Sequence, residues 1–169
     1  VASLTIIGQT TLEELCPRHG IQDGDFLCVT GELGNSFLSE HHLYFEPRLD
    51  IGRFLAKGKY PNAMMDISDG LLKDVQRMMK HEKLSLTIEL NALPLRQGAD
   101  TKTALTEGED YELLFSISQE NLERLEKNWD FSETALHIIG KFEASTENKI
   151  QDKLGRNLLE IKTGFDHFS

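Results

Sequence analysis

Met65-Asp66-Ile67-Ser68-Asp69-Gly70-Leu71 puts two carboxylates, a hydroxyl and a glycine where an apolar run stops and a helical pattern starts. The preceding Ala63-Met64-Met65 follows a Tyr60-Pro61-Asn62 turn and reads as a short buried strand. Downstream, Leu71, Leu72, Val75, Met78 and Met79 form one apolar stripe, which predicts a helix over 69–81 with Ser68 or Asp69 as its N-cap and Lys80-His81 at its C-terminal end. First-turn N–H groups lack helical partners and sit at the positive end of the dipole, so they favour an anion such as phosphate. Two aspartates beside that anion need a cation between them, and Mg²⁺ takes one or two carboxylates together with phosphate oxygens and water.

A second acidic stretch, Gly108-Glu109-Asp110-Tyr111-Glu112-Leu113-Leu114-Phe115, enters another strand. Tyr111, Leu113, Phe115 and Ile117 alternate as one buried face, with Glu109 and Asp110 at the entry. Further strands are expected near 3–8, 25–30, 84–90 and 136–142, with a weaker one near 157–162. Leu84, Leu86, Ile88 and Leu90 give the cleanest period of two. One more helix starts at Ser118 and carries Leu122, Leu125 and Trp129, and a third occupies 47–58. Helices with a single apolar stripe need a sheet to pack on, so the expected fold is α+β, a layered mixed β-sheet with packed helices in a single domain over 1–169.

Taken in order, Asp66-Ile67-Ser68-Asp69-Gly70-Leu71 and Gly108-Glu109-Asp110-Tyr111-Glu112-Leu113 resemble the paired signatures of the thiamine-monophosphate kinase family, within the aminoimidazole-ribonucleotide-synthetase-like superfamily. Arg18 through Gly24-Asp25 into Thr30-Gly31, then Glu46-Pro47-Arg48, and finally Gly164-Phe165-Asp166-His167-Phe168 extend the resemblance along nearly all of the chain. It covers only the C-terminal half of the family's protein. The N-terminal ATP- and Mg-binding domain is therefore expected to lie outside this chain, leaving 169 residues that do not turn over alone.

The resemblance implies transfer of the ATP γ-phosphoryl group to thiamine monophosphate, with several Mg²⁺ ions in the complete enzyme and no covalent nucleophile. By position, Asp66 and Asp69 would bind metal, Arg18 and Ser68 the ATP phosphates, and Glu109 and Phe165 the thiamine phosphate. Asp110 and Tyr111 read as structural or supporting. The family also implies a homodimer for the full-length protein. This chain departs from it after Gly34-Asn35-Ser36, where an acidic position is Asn35 and a helix is shortened or absent, which bears on dimer geometry and on the thiamine pocket. Other readings are another ATP-using superfamily member, such as selenophosphate synthetase or aminoimidazole ribonucleotide synthetase, and a non-catalytic acidic binding module.

Composition narrows the classes. A net charge of −10 disfavours nucleic acid and anionic membrane, both of which reward a basic patch. The absence of a basic, apolar leader points to a cytoplasmic protein, and Cys16 and Cys28 match neither a Cys-x-x-Cys motif nor a disulfide framework, so reduced thiols are expected. Thr30-Gly31-Glu32-Leu33-Gly34-Asn35-Ser36 fits neither the dinucleotide fingerprint nor the phosphate loop and reads as a turn. His41-His42 gives no zinc spacing, and no Gly-x-Ser-x-Gly elbow is present.

Overall fold

A computed structural model describes residues 5, 7–12 and 15–161. Six strands form one mixed sheet in the order β2-β4-β1-β5-β3-β6: β1 is Phe26–Thr30, β2 Ala63–Asp66, β3 Leu84–Ile88, β4 Leu113–Ile117, β5 Leu136–Ala144 and β6 Lys149–Asp152. All neighbours are antiparallel except β3 and β6. Five helices accompany them: α1 (His41–Tyr44), α2 (Leu49–Lys57), α3 (Leu71–Met78), α4 (Thr101–Thr106) and α5 (Gln119–Asn128).

The central strands are apolar on both sides because both are covered. Leu27, Val29, Ala63, Leu114 and Ile139 pack with α3 and α4, while Cys28, Phe115 and Ile117 pack with Ile51 and Leu55 of α2 and Leu122 and Leu125 of α5. The single buried face expected of 111–117 is thus two buried faces, and Tyr111 precedes the strand instead of lining it. Toward the far edge, β3 keeps the expected alternation, with Leu84, Leu86 and Ile88 buried and Ser85 and Thr87 partly exposed.

Several expected boundaries move. The 69–81 helix is Leu71–Met78, with Leu71, Leu72, Val75 and Met78 fully buried as the stripe requires. The strand near 157–162 is instead a 3-10 turn over Leu158–Glu160, begun by Asn157, whose side chain accepts from the Leu159 N–H. The expected strand near 3–8 falls partly outside the described residues, and residues 5, 7 and 8 are not in a strand. α4 was not anticipated. Asp100 caps it, accepting from the Thr103 N–H at 2.8 Å, while the Thr103 hydroxyl closes a capping box. The helix after Ser36 is the single turn of α1.

Candidate functional site

The two acidic stretches lie side by side. Asp66 ends β2 opposite Leu113 of β4, and the pairing runs on past the strands: Ile67 N–H donates to Glu112 O, Tyr111 N–H to Ile67 O and Glu109 N–H to Ser68 O, each at 2.9 Å. The two glycines let these backbones meet. A Cβ on Gly70 would lie 2.9 Å from the Thr106 carbonyl oxygen and 3.0 Å from that of Glu107, and a Cβ on Gly108 would collide with the Ser68 carbonyl.

Neither Ser68 nor Asp69 caps α3. The N-cap is Gly70, at φ 108°, ψ 146°, with no side-chain cap bond. The buried carboxylate of Asp74 takes the capping role from inside the helix: Oδ2 accepts from the N–H groups of Ser68 (3.0 Å) and Asp69 (2.9 Å). Those two donors are therefore turned to an internal anion. Burial pushes the Asp74 carboxyl above its ordinary value, while these bonds and Arg77 pull it back. The Arg77 guanidinium bridges Asp74 and Asp69.

Asp66 is exposed, Ser68 and Asp69 are partly buried, and Glu109 is exposed. Asp66 and Tyr111 share one cleft, and the backbone pairing sets Glu109 against Ser68. The Tyr111 phenol is pushed above its ordinary value first by burial and then by the charges of Glu109, Asp66 and Asp69. Tyr111 stacks on Phe45 with ring centres 4.1 Å apart. Both rings, with Pro47, Arg48, Leu49, Gly52, Arg53, Ala56, Asp66 and Leu113, line a largely apolar cleft of about 450 Å³. Among the described residues, no group of three or more His, Cys, Asp or Glu is preformed to hold a metal ion. Asp66 and Asp69 offer the hard oxygen donors that suit Mg²⁺, which needs only one or two carboxylates when phosphate and water complete its shell.

Arg18 stands apart from Ser68. The carbonyl of its neighbour Pro17 accepts from Met64 N–H at 2.9 Å, and His19 Nδ1 lies 3.2 Å from the Met78 carbonyl oxygen, so Arg18 runs past the C-terminal end of α3 while Ser68 precedes its start. Eight helical residues span about 12 Å. Phe165 lies outside the described residues. The sequence reading missed the counter-charges: Arg48 grips Glu112 bidentately at 2.9 and 2.7 Å, and Arg96 reaches Asp110 at 2.7 Å. Arg48 sits in the Glu46-Pro47-Arg48 segment already singled out by resemblance; nothing in the spacing marks Arg96.

Residues 17–153 match the model of the AIR synthase related protein, C-terminal domain. The chain belongs to this family. A thiamine-monophosphate kinase from Rhodopirellula baltica is 32% identical over 151 residues, covering 82% of this chain and 47% of the relative. The crystal structure of thiamine monophosphate kinase from Aquifex aeolicus superposes with a TM-score of 0.65 at 26% identity, covering 85% of this chain and 54% of that one. AaThiL complexed with AMPPCP and TMP gives 0.67 at 26% identity, over 90% and 54%. The chain spans about half the length of the curated relatives it matches. No helix among the described residues is long and apolar enough to cross a membrane.

Proposed function

We propose that this domain is the C-terminal half of a Mg-dependent, cytoplasmic kinase that transfers the γ-phosphoryl group of ATP to thiamine monophosphate, yielding thiamine diphosphate. The observation that carries the reading is the pairing of the 66–68 and 109–112 backbone segments, which brings the two acidic signatures together at a cleft lined by Asp66 and Tyr111. Relatives named thiamine-monophosphate kinase, and a solved relative complexed with AMPPCP and TMP, support this choice among the family's members.

In this reading Asp66 and Asp69 hold Mg²⁺, which when bound neutralises the phosphate charge that otherwise keeps donor and acceptor apart. The acceptor is already an anionic phosphate oxygen, so no strong general base is required. Glu109, exposed next to Asp110 and Tyr111 in the chain, is assigned to the cationic thiamine, and Phe165, outside the described residues, is assigned by resemblance to stacking on its ring. Ser68 and Arg18 are assigned to ATP phosphates by resemblance. An N-terminal domain supplies the remaining metal and nucleotide ligands, and the complete protein is a homodimer.

The test is thiamine diphosphate formation by the complete protein with ATP and Mg²⁺, beside the 169-residue chain, for which no turnover is expected. Asp66→Asn and Asp69→Asn should each lower turnover and raise the Mg²⁺ requirement. Since the structure caps α3 with neither residue, thermal stability should change little. Unchanged kinetics in both variants would return the two aspartates to ordinary surface roles.

A further inference from the structure

The turn ending at Ser36, which matches no nucleotide-binding fingerprint, is a cradle for two of the chain's own carboxylates. Asn35 N–H donates to Glu107 Oε2 at 2.6 Å. Gly34 N–H donates to both oxygens of Asp110 at 3.0 and 3.2 Å, and the Ser36 hydroxyl donates to Asp110 Oδ1 at 2.5 Å. Glu107 and Asp110 bracket Gly108 and Glu109, so the entry turn of the acidic signature is gripped at both ends. Arg96 closes the cradle: its Nη1 reaches Gly34 O, Ser36 Oγ and Asp110 Oδ1, and its Nη2 reaches Glu32 O, all at 2.7 Å. Arg96 is 9% exposed and Asp110 0%. Buried this way, both act through their neighbours.

What the grip holds is a backbone these residues do not adopt freely. Glu109 sits at φ 62° and Tyr111 at φ 51°, in the left-handed region that side chains with a Cβ avoid. Such conformations persist where surrounding structure over-determines them, and they cluster at ligand sites. Turned this way, residues 110 and 112 point into buried ion pairs while Glu109 faces solvent and the Tyr111 ring faces the cleft.

We infer that Ser36, Arg96 and Asp110 are positioning residues, which set Glu109 and Tyr111 for the acceptor without touching it. The identity of that acceptor rests on the kinase reading; the clamp itself does not. Replacing Arg96 alone would strand a buried carboxylate and threaten folding. The informative variants are Ser36→Ala and the double Arg96→Met/Asp110→Asn, which removes both charges together. Two measurements apply to each. In the 169-residue chain, amide hydrogen exchange at Glu109 and Tyr111, whose N–H groups donate to Ser68 O and Ile67 O, should quicken about tenfold in both variants. In the complete protein, the KM for thiamine monophosphate should rise about tenfold while that for ATP stays within about twofold. Asp152→Asn, which loosens the pair between buried Asp152 of β6 and exposed Arg156 at the far sheet edge, serves as a stability control and should move neither readout. Unmoved exchange at Glu109 and Tyr111, equal losses for both substrates, or the same KM shift in Asp152→Asn would each overturn the assignment. If the parent protein does not phosphorylate thiamine monophosphate at all, the kinase reading falls, and the amide exchange at Glu109 and Tyr111 still decides the clamp.

Discussion

Gly70→Ala should be among the most destabilising single-methyl additions in this chain, and the cost can be built from two parts. Gly70 holds φ 108°, ψ 146°, close to a backbone region that glycine alone populates, where a side chain costs about 1–3 kcal/mol. Its added Cβ would also lie 2.9 and 3.0 Å from two backbone carbonyl oxygens, which cannot rotate away as a side chain would. Overpacking of that kind costs about 1–3 kcal/mol more. The sum, about 2–6 kcal/mol, is a large share of a typical domain stability of about 5–15 kcal/mol. Two other glycines separate the parts. Gly24, at φ 85° with nothing within 4 Å of its Cβ position, tests strain alone; Gly108, which would collide with the Ser68 carbonyl without a positive φ, tests contact alone. Urea unfolding of the three alanine variants, read as the midpoint shift at constant m, should rank Gly70→Ala above Gly24→Ala, with Gly108→Ala costly through its closer backbone collision alone. A Gly70→Ala loss no larger than that of Gly24→Ala would refute the close approach of the two signature backbones.

Arg48→Met leaves Glu112, 2% exposed, without its bidentate partner and should cost about 3–5 kcal/mol, most of it regained in Arg48→Met/Glu112→Gln; a single variant within about 1 kcal/mol of the parent in urea would show the pair to be dispensable. Burial pushes the Cys16 thiol up to about 11 from an ordinary 9.0, so the unfolded chain loses this proton first. The associated stability is fully present below pH 9.0 and is lost as pH rises through about 11. Iodoacetamide should therefore alkylate folded Cys16 slowly until that range, and a rate at pH 8 matching a free thiol would count against the burial.

Where the periodicity was read correctly, the physical surroundings were simple. β3 alternates cleanly because one face meets the main core while Ser85 and Thr87 on the other stay partly exposed. α3 and α5 each pack one stripe on the sheet, so their patterns carried the signal. β4 lies centrally between β2 and β1, with helices over both faces, and its run of buried residues contains no alternation to count. β6 escaped notice because Lys149-Ile150-Gln151-Asp152 is a short edge strand with a single large apolar residue, held parallel to β3 by backbone pairing. The Leu158–Glu160 turn looked like a strand because Leu158, Leu159 and Ile161 are apolar, yet they pack from a 3-10 turn begun by Asn157.

The candidate site was legible as acids and illegible as geometry. Residue type and order singled out Asp66, Asp69 and Glu109, but a carboxylate looks the same in sequence whether its charge is answered inside the protein or left for something outside. Asp74 shows the difficulty: it falls on the apolar stripe between Leu71 and Met78, a charged group on a buried face, and that oddity was the available sign that it caps the turn from within. The partners of Asp110 and Glu112 arrive from Arg96 and Arg48, loop residues whose approach depends on tertiary structure. Once those pairs are made, the acids divide. Asp74, Asp110 and Glu112 are buried and neutralised by the chain's own arginines, whereas Asp66 and Glu109 are exposed and form no ion pair with a described residue. Asp69 stands between, held by an Arg77 that is itself 45% exposed. Carboxylates left exposed without an ion-pair partner among the described residues are the ones the proposed Mg²⁺ and acceptor would use.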